Sequence, residues 1–149
     1  MNLVHLVLGE RPKPHITEAP THAKWTFIRP RDDQSSVRAR RAEADCTIET
    51  SHGRLSARGG QDFIVTHGPD DHSVVKPDIF ERTYEPLGGG LYRKRTDVTL
   101  RYFTLKHPAV IRTLEGDQQA RAGDWIVEGV AGELWPVPPD KAREKYEPA

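Results

Sequence analysis

The densest group of side chains able to do chemistry is His67-Gly-Pro-Asp70-Asp71-His72. Two imidazoles and two carboxylates in one short stretch are the ligand types that hold a divalent cation. A water on such a metal is a hydrolytic nucleophile. That chemistry would make the chain a metal-dependent hydrolase or a nucleotide-acting enzyme. The spacing fits no helix-borne ligand motif, however, and one turn seldom aims four side chains at one point. A solvated turn is therefore the expectation for His67, Asp70, Asp71 and His72.

Asp62 and Asp124 each follow a glycine turn. Paired carboxylates can serve as general acid and base. The simpler expectation is that each accepts backbone N–H bonds and fixes its own turn. Two basic runs, Arg38, Arg40 and Arg41 and then Arg93, Lys94 and Arg95, would grip phosphate or an acidic partner if they shared a face. Trp135 is a candidate recognition aromatic, although in a chain with 7% aromatic residues tryptophan more often belongs to the core. Cys46 has no base near it in sequence and is expected to be buried and inert. As the single cysteine it excludes an intrachain disulfide and a cysteine-based zinc site. The sequence has neither a phosphate-binding glycine loop nor a nucleophile elbow, and no cofactor is implied.

Lys+Arg and Asp+Glu both number 22, for a formal charge of zero. A protein that relies on phosphate neutralisation usually carries a basic excess, so nucleic-acid binding through the arginine runs is not favoured. Charged residues make up 30% and apolar residues 36%, with 12 Gly and 12 Pro: a polar, turn-rich chain, yet not depleted enough to be disordered. The apolar run before Gly9 is followed at once by Glu10 and Arg11, too short and wrongly flanked for a secretion signal. No run approaches the length of a membrane helix. A cytoplasmic protein is expected.

The elements that must position these residues repeat. Asp62-Phe-Ile-Val65 recurs as Asp124-Trp-Ile-Val127, and Tyr84-Glu-Pro86 as Tyr146-Glu-Pro148, with Pro77-Asp78 matching Pro139-Asp140 between them. Upstream, Ile48, Thr50, Gly53, Ala57, Arg58 and Gly60 match Ile111, Thr113, Gly116, Ala120, Arg121 and Gly123, with Gln61 as a one-residue insertion. Such self-similarity reads as one structural unit present twice. Strands are expected at 46–50 and 109–113, at the Asp-aromatic-Ile-Val runs, and at 73–75 and 134–137. Two more are expected at 23–28 and 97–103. Helices are expected over 78–84 and 140–146, each ended by the proline that follows, the second docking more weakly because Lys141 and Ala142 replace Ile79 and Phe80. Residues 87–90 read as a flexible glycine linker.

Thr113-Leu-Glu-Gly, Gly123-Asp-Trp-Ile and Gly132-Glu-Leu-Trp-Pro, with Lys76-Pro-Asp-Ile-Phe-Glu-Arg-Thr-Tyr-Glu-Pro86 and the basic opening Tyr92-Arg-Lys-Arg95, resemble a set of short phage and prophage proteins. Their pattern runs TLEG, GDYI, GE.YP, then PDIFE.TYE, and is similar to the short PGDYG-like family. The resemblance implies a small β-rich domain with a C-terminal helix, and no activity. Val75 and Val137 stand where relatives often have cysteine, so thiol chemistry is not carried over.

The expected fold is thus β-rich α+β. It has two pseudo-symmetric repeats of three or four antiparallel strands plus a short C-terminal helix. Residues 1–20 form a strand or tail, 21–86 the first unit, 87–90 the linker and 91–149 the second unit. The two units should share a core built from Phe63, Ile64, Val65, Trp125, Ile126 and Val127, with Asp62, Tyr84, Asp124 and Tyr146 as structural signature residues. The expected role is non-catalytic binding, most naturally of a protein partner. The motive is that an apolar and turn signature is duplicated while no reactive side chain is.

Overall fold

The computed structural model describes residues 12–50 and 53–149. The first eleven residues of the expected N-terminal strand or tail lie outside them.

Among the described residues the chain is β-rich, with fifteen strands and two short helices. In order these are β1 (His15–Ile16), β2 (Thr26–Pro30), β3 (Val37–Arg41), β4 (Cys46–Thr50), β5 (Gly53–Ala57), β6 (Phe63–Gly68), β7 (Asp71–Val75), α1 (Pro77–Thr83), β8 (Tyr84–Gly88) and β9 (Leu91–Lys94). Then follow β10 (Leu100–Thr104), β11 (Ala109–Thr113), β12 (Gly116–Ala120), β13 (Trp125–Glu128), β14 (Leu134–Val137), α2 (Pro139–Lys145) and β15 (Tyr146–Pro148). Two five-stranded antiparallel sheets have the orders β7-β6-β3-β9-β8 and β14-β13-β10-β2-β15. Among the described residues β4 and β5 pair only with each other, whereas β11–β12 gains β1 in parallel on the β11 edge.

Local sequence accounts for most of these elements. Gly60 and Gly123 turn the chain at φ +71° and +93°, where a side chain would be strained. Their N–H groups donate to the carbonyls of Ala42 and Leu105 at 2.7 and 2.8 Å. Each helix opens on a proline with an aspartate in its first turn, Asp78 or Asp140, where a carboxylate complements the helix dipole.

The helices do not end at Pro86 and Pro148. Tyr84 and Tyr146 already adopt extended backbone and lead straight into β8 and β15. Both are outermost strands, where a residue without an N–H can sit with no loss of ladder bonds.

The glycine run is not a linker. Gly88, Gly89 and Gly90, all at positive φ, turn the β8–β9 hairpin, so β9 pairs with both β8 and β3. The place taken by β9 in the first sheet is taken by β2 in the second, between β10 and β15. Each sheet therefore contains a strand that the expected boundaries assigned to the other unit. Strand β2 pairs in turn with β15, although more than a hundred residues separate them in the chain.

Nor do the two halves share one core. Phe63 and Val65 join Ala39, Phe80 and Tyr84 on the helix side of the first sheet, while Ile64 points the other way, to Ala42 and Ala57. Val127 and Ile126 divide in the same manner, Val127 towards Ala142 and Tyr146 and Ile126 towards Ile111 and Ala120. The reason is the two-residue period of a strand: a run buried on both faces feeds two clusters, not one.

Helix α2 buries the small Ala142 where α1 buries Ile79 and Phe80. Ala142 is fully buried. Where Phe63 stacks on Phe80 at 3.9 Å between centroids, Trp125 stacks instead on Tyr102 at 3.6 Å. Tyr102 lies on β10 where β3 has Ala39. The ring volume lost from the helix is thus supplied by the sheet.

Candidate functional site

The halves meet where α1 and α2 run into their edge strands. Tyr84 and Tyr146 are buried there, and burial pushes both hydroxyls up to about 12. They stay protonated at any ordinary pH. Lys94 lies at the end of β9, directly opposite Tyr84 in the ladder, and Lys145 is the last residue of α2. From α1, Arg82 donates to the carbonyl of Val130 in the other half.

Between these elements opens a cleft of about 230 Å³, lined by Lys94, Lys145, Tyr84, Tyr146, His67 and the 31–35 loop. Each arginine at its rim has a carboxylate. Arg93 pairs with Glu85 at 2.5 Å, and Arg31 faces Glu147 at 3.6 Å. Asp33 is occupied as well, accepting from the N–H and hydroxyl of Ser35 at 2.9 and 2.6 Å, which holds its carboxyl below the usual range. The ammonium groups of Lys94 and Lys145 have no hydrogen-bond or ion-pair partner among the described residues.

Solvent reaches Lys94 from the open side, yet the protein crowded round its ammonium lowers its proton affinity, and the charge of Lys145 adds to this against the pull of Asp33. The His67 imidazole is lowered too, first by loss of water and then by Lys94, Lys145 and His72, with Asp71 opposing. The cleft thus brings the ammonium groups of Lys94 and Lys145 together with the carboxylates of Asp32 and Asp33.

A second cleft of about 50 Å³ lies beside it and shares Pro30, Lys94 and Tyr146 with the first, its other walls including Thr83, Arg95, Gly129 and Trp135. Its residues hold the same places in the second sheet. Pro30 pairs with Tyr146 as Lys94 pairs with Tyr84, and Thr83 ends α1 as Lys145 ends α2. Trp135 pairs with Val127 as Ser73 pairs with Val65. The indole lies so close to Gly129 that a Cβ there would sit 2.7 Å from its ring. In the first half His67 Nε2 and Ser73 Oγ are instead 3.0 Å apart. A tryptophan over a glycine closes one cleft, and a serine beside a histidine leaves the other open.

The metal-ligand reading of the 67–72 stretch does not survive the hairpin geometry. His67 approaches Ser73 and His72 approaches Thr66, neighbours on opposite faces of β6–β7, while Asp70 sits at the tip with φ +58°. Among the described residues no three His, Cys, Asp or Glu side chains converge as a metal site. The contact of His67 with Ser73 pairs a base with a hydroxyl. Nucleophilic catalysis would also need a group to orient the other ring nitrogen, and among the described residues no hydrogen bond to Nδ1 is present.

Asp62 and Asp124 fix their turns. Asp62 Oδ2 accepts from the Arg58 N–H at 2.8 Å and Asp124 Oδ2 from the Arg121 N–H at 2.9 Å. Cys46, expected in the interior, is exposed.

The arginine runs are divided. Alternation along β3 sends Arg38 and Arg40 to one face and Arg41 to the other. Arg41 lies over the Phe63 ring at 4.5 Å and donates to the Gln61 carbonyl, and Arg95 donates to the Glu81 carbonyl. Of the expected binding residues, Arg93 and Lys94 reach the cleft and Trp135 fills its neighbour.

Sequence reasoning missed Lys145, Ser73, Arg29 and Arg31. A signal existed for the arginines, since Ile28-Arg-Pro-Arg31 has the spacing of Tyr92-Arg-Lys-Arg95. None existed for Lys145, which comes to line the same cleft as Lys94 only through the packing of two sheets.

Fold and site together describe a β-rich chain of two ladders with a cleft of mixed charge between them. Comparison with protein-family models, with curated proteins and with solved structures finds no match. No helix of the described residues is long and apolar enough to cross a membrane.

Proposed function

We propose that this chain is a duplicated, non-catalytic binding module of the phage-related kind its motifs resemble, and that its binding locus is the cleft around Lys94. Duplication is supported by the two matching strand orders and by ion pairs in matching places, Arg93 with Glu85 and Arg29 with Glu147. A non-catalytic role is supported by the fate of the repeated signature: Asp62, Asp124, Tyr84 and Tyr146 are all spent on turns and burial. The observation that carries the reading is the contrast between the clefts. The module keeps its buried skeleton in both halves and diverges where one junction is open and the other is filled by Trp135.

The test is an NMR screen of the labelled protein with small neutral, cationic and anionic probes. The double variant H67G/S73W, which copies the Gly129–Trp135 arrangement, is screened alongside. Probes should shift the amides around Lys94 and Lys145 in the natural protein and not in the variant. A screen in which no probe reaches the cleft would overturn the reading. So would turnover of phosphoester, ester or peptide substrates, with manganese or zinc, that His67→Ala or His72→Ala abolishes.

A further inference from the structure

We infer that the outer edge of β4 takes an extended peptide of a partner protein, laid parallel to it as β1 lies on β11, with an aliphatic residue beside Ile48. The inference rests on the duplication proposed above and concerns a second site, away from the cleft.

The β4–β5 and β11–β12 hairpins are built alike. Cys46 pairs with Ala57 and Thr50 with Gly53, as Ala109 pairs with Ala120 and Thr113 with Gly116. Thr50 and Thr113 each donate a hydroxyl hydrogen bond to the glycine carbonyl across the turn, at 2.7 Å in both. Ile48 and Ala57 pack with Ile64 as Ile111 and Ala120 pack with Ile126.

The hairpins differ in what covers them. Residues 14–25 form an arm over β11. Val110 donates its N–H to the Pro14 carbonyl at 2.9 Å, Ile16 pairs with Ile111, and Ile16, Ala19, Ala23 and Trp25 pack against the cluster there. Under this arm Ala109, Val110 and Ile111 are 1%, 8% and 0% exposed. At the matching positions Cys46 and Thr47 are exposed and Ile48 is half-buried. The N–H of Val110 points away from β12, so that of Thr47 points away from β5, and Glu49 two residues on repeats it. Strand β4 thus presents main-chain donors on the side where β11 is bonded to the arm.

Chain order accounts for the difference. The arm leads into β2, whereas β9, which fills the place of β2 in the first sheet, comes straight from β8 through the glycine turn. Among the described residues no segment remains to lie on β4. The outermost strands β8, β14 and β15 each carry a proline, which discourages a further strand, and β4 carries none.

The arm also states what fits: main-chain hydrogen bonds for affinity and one aliphatic side chain for specificity. In a second copy the arm is bonded to its own β11 and is not spare. The added strand is therefore assigned to another protein.

The probe is a synthetic peptide of residues 12–20, the sequence that lies on β11, added to the whole labelled chain. Cys46 is the single cysteine, so its alkylation by iodoacetamide reads coverage of the edge directly. The peptide should slow alkylation several-fold, saturably, and shift the amides of Thr47 and Glu49. A peptide carrying Ile16→Asp should do neither. Thr47→Pro, which removes the outward N–H, should abolish peptide binding with the thermal midpoint nearly unchanged. The aspartate peptide tests the edge on the natural protein even if Thr47→Pro does not fold. An alkylation rate indifferent to the peptide would overturn the inference, as would shifts confined to Val110 and Ile111, which mean exchange on β11. A rate that falls with protein concentration, alongside a dimer in sedimentation, would give the edge to a second copy. A rate slow at every concentration would mean an edge covered without a partner. Either result sinks the assignment. H67G/S73W should bind the peptide as the natural protein does, so an empty cleft with a covered β4 ends only the cleft reading, and the converse ends only this one.

Discussion

The guanidinium of Arg29 donates twice to the Glu147 carboxylate, at 2.9 and 2.7 Å, across 118 residues of chain. It joins β2, before the first sheet begins, to β15, the last strand of the second. Arg93 and Glu85 make the same contact between β9 and β8, which a three-glycine turn already holds together. The same ion pair thus decorates a hairpin in one half and joins strands far apart in sequence in the other.

The closing strand should depend on its buried residues more than on that pair. Ile28 is 2% exposed and packs with Val127 and Tyr146, so Ile28→Ala should cost about 2–5 kcal/mol in urea unfolding. Glu147→Ala removes a half-exposed ion pair and should cost less than about 1 kcal/mol. The reverse ranking would mean that charge, not packing, holds β2 in place.

Asp62 should make stability sensitive to acid. Hydrogen bonds from the Arg58 guanidinium, and then from its backbone N–H, hold the carboxyl below its ordinary 3.8. The folded form binds that proton less readily than the unfolded chain. The stabilisation is therefore complete above the ordinary carboxylate range and is lost as pH falls through the lowered value. Asp62→Asn should cost about 1–3 kcal/mol at pH 7 and flatten the acid limb of a stability–pH curve. Asp124→Asn, at a turn where the described residues supply the backbone bond but no guanidinium bond, should cost less.

The two stacked ring pairs should not be interchangeable piecemeal. Phe80→Ala strips the ring from Phe63 and should cost about 3–5 kcal/mol. Ala142→Phe forces a ring into a site that Tyr102 and Trp125 already fill, and should cost about 1–3 kcal/mol. Adding Tyr102→Ala to Ala142→Phe should recover part of that loss. Strict additivity in the double-mutant cycle would show that the two sites do not exchange volume.

Gly129 should tolerate no side chain. A Cβ there would lie 2.5 Å from the Glu133 carboxyl and 2.7 Å from the Trp135 ring, so Gly129→Ala should cost about 1–3 kcal/mol. His67→Ala, at the matching place in the open cleft, should leave the thermal midpoint nearly unchanged. Equal losses from the two substitutions would contradict the difference between the clefts.

Much of the ladder was legible in the chain. The runs Cys46–Thr50, Phe63–Gly68 and Leu134–Val137 announce strands through β-branched and aromatic residues, and Pro77-Asp78 announces a helix start. The strands β5 and β12 were not, because Gly53-Arg-Leu-Ser-Ala57 and Gly116-Asp-Gln-Gln-Ala120 are polar and gain strand form from pairing with β4 and β11. Residues Arg38, Arg40 and Arg41 read as a charge run and are a central strand, since Ala39 faces the core between them.

Sequence alone determined the local elements and the turns, whose causes lie within a few residues: a glycine at positive φ, a proline at a helix start, an alternating apolar run. Tertiary structure alone decided which strand closes which sheet. Backbone hydrogen bonding accepts any strand of suitable polarity, and β2 and β9 both qualify. It also decided that Lys94 and Lys145 would face one cleft, because their proximity follows from the packing of two sheets and leaves no trace in the spacing of residues along the chain.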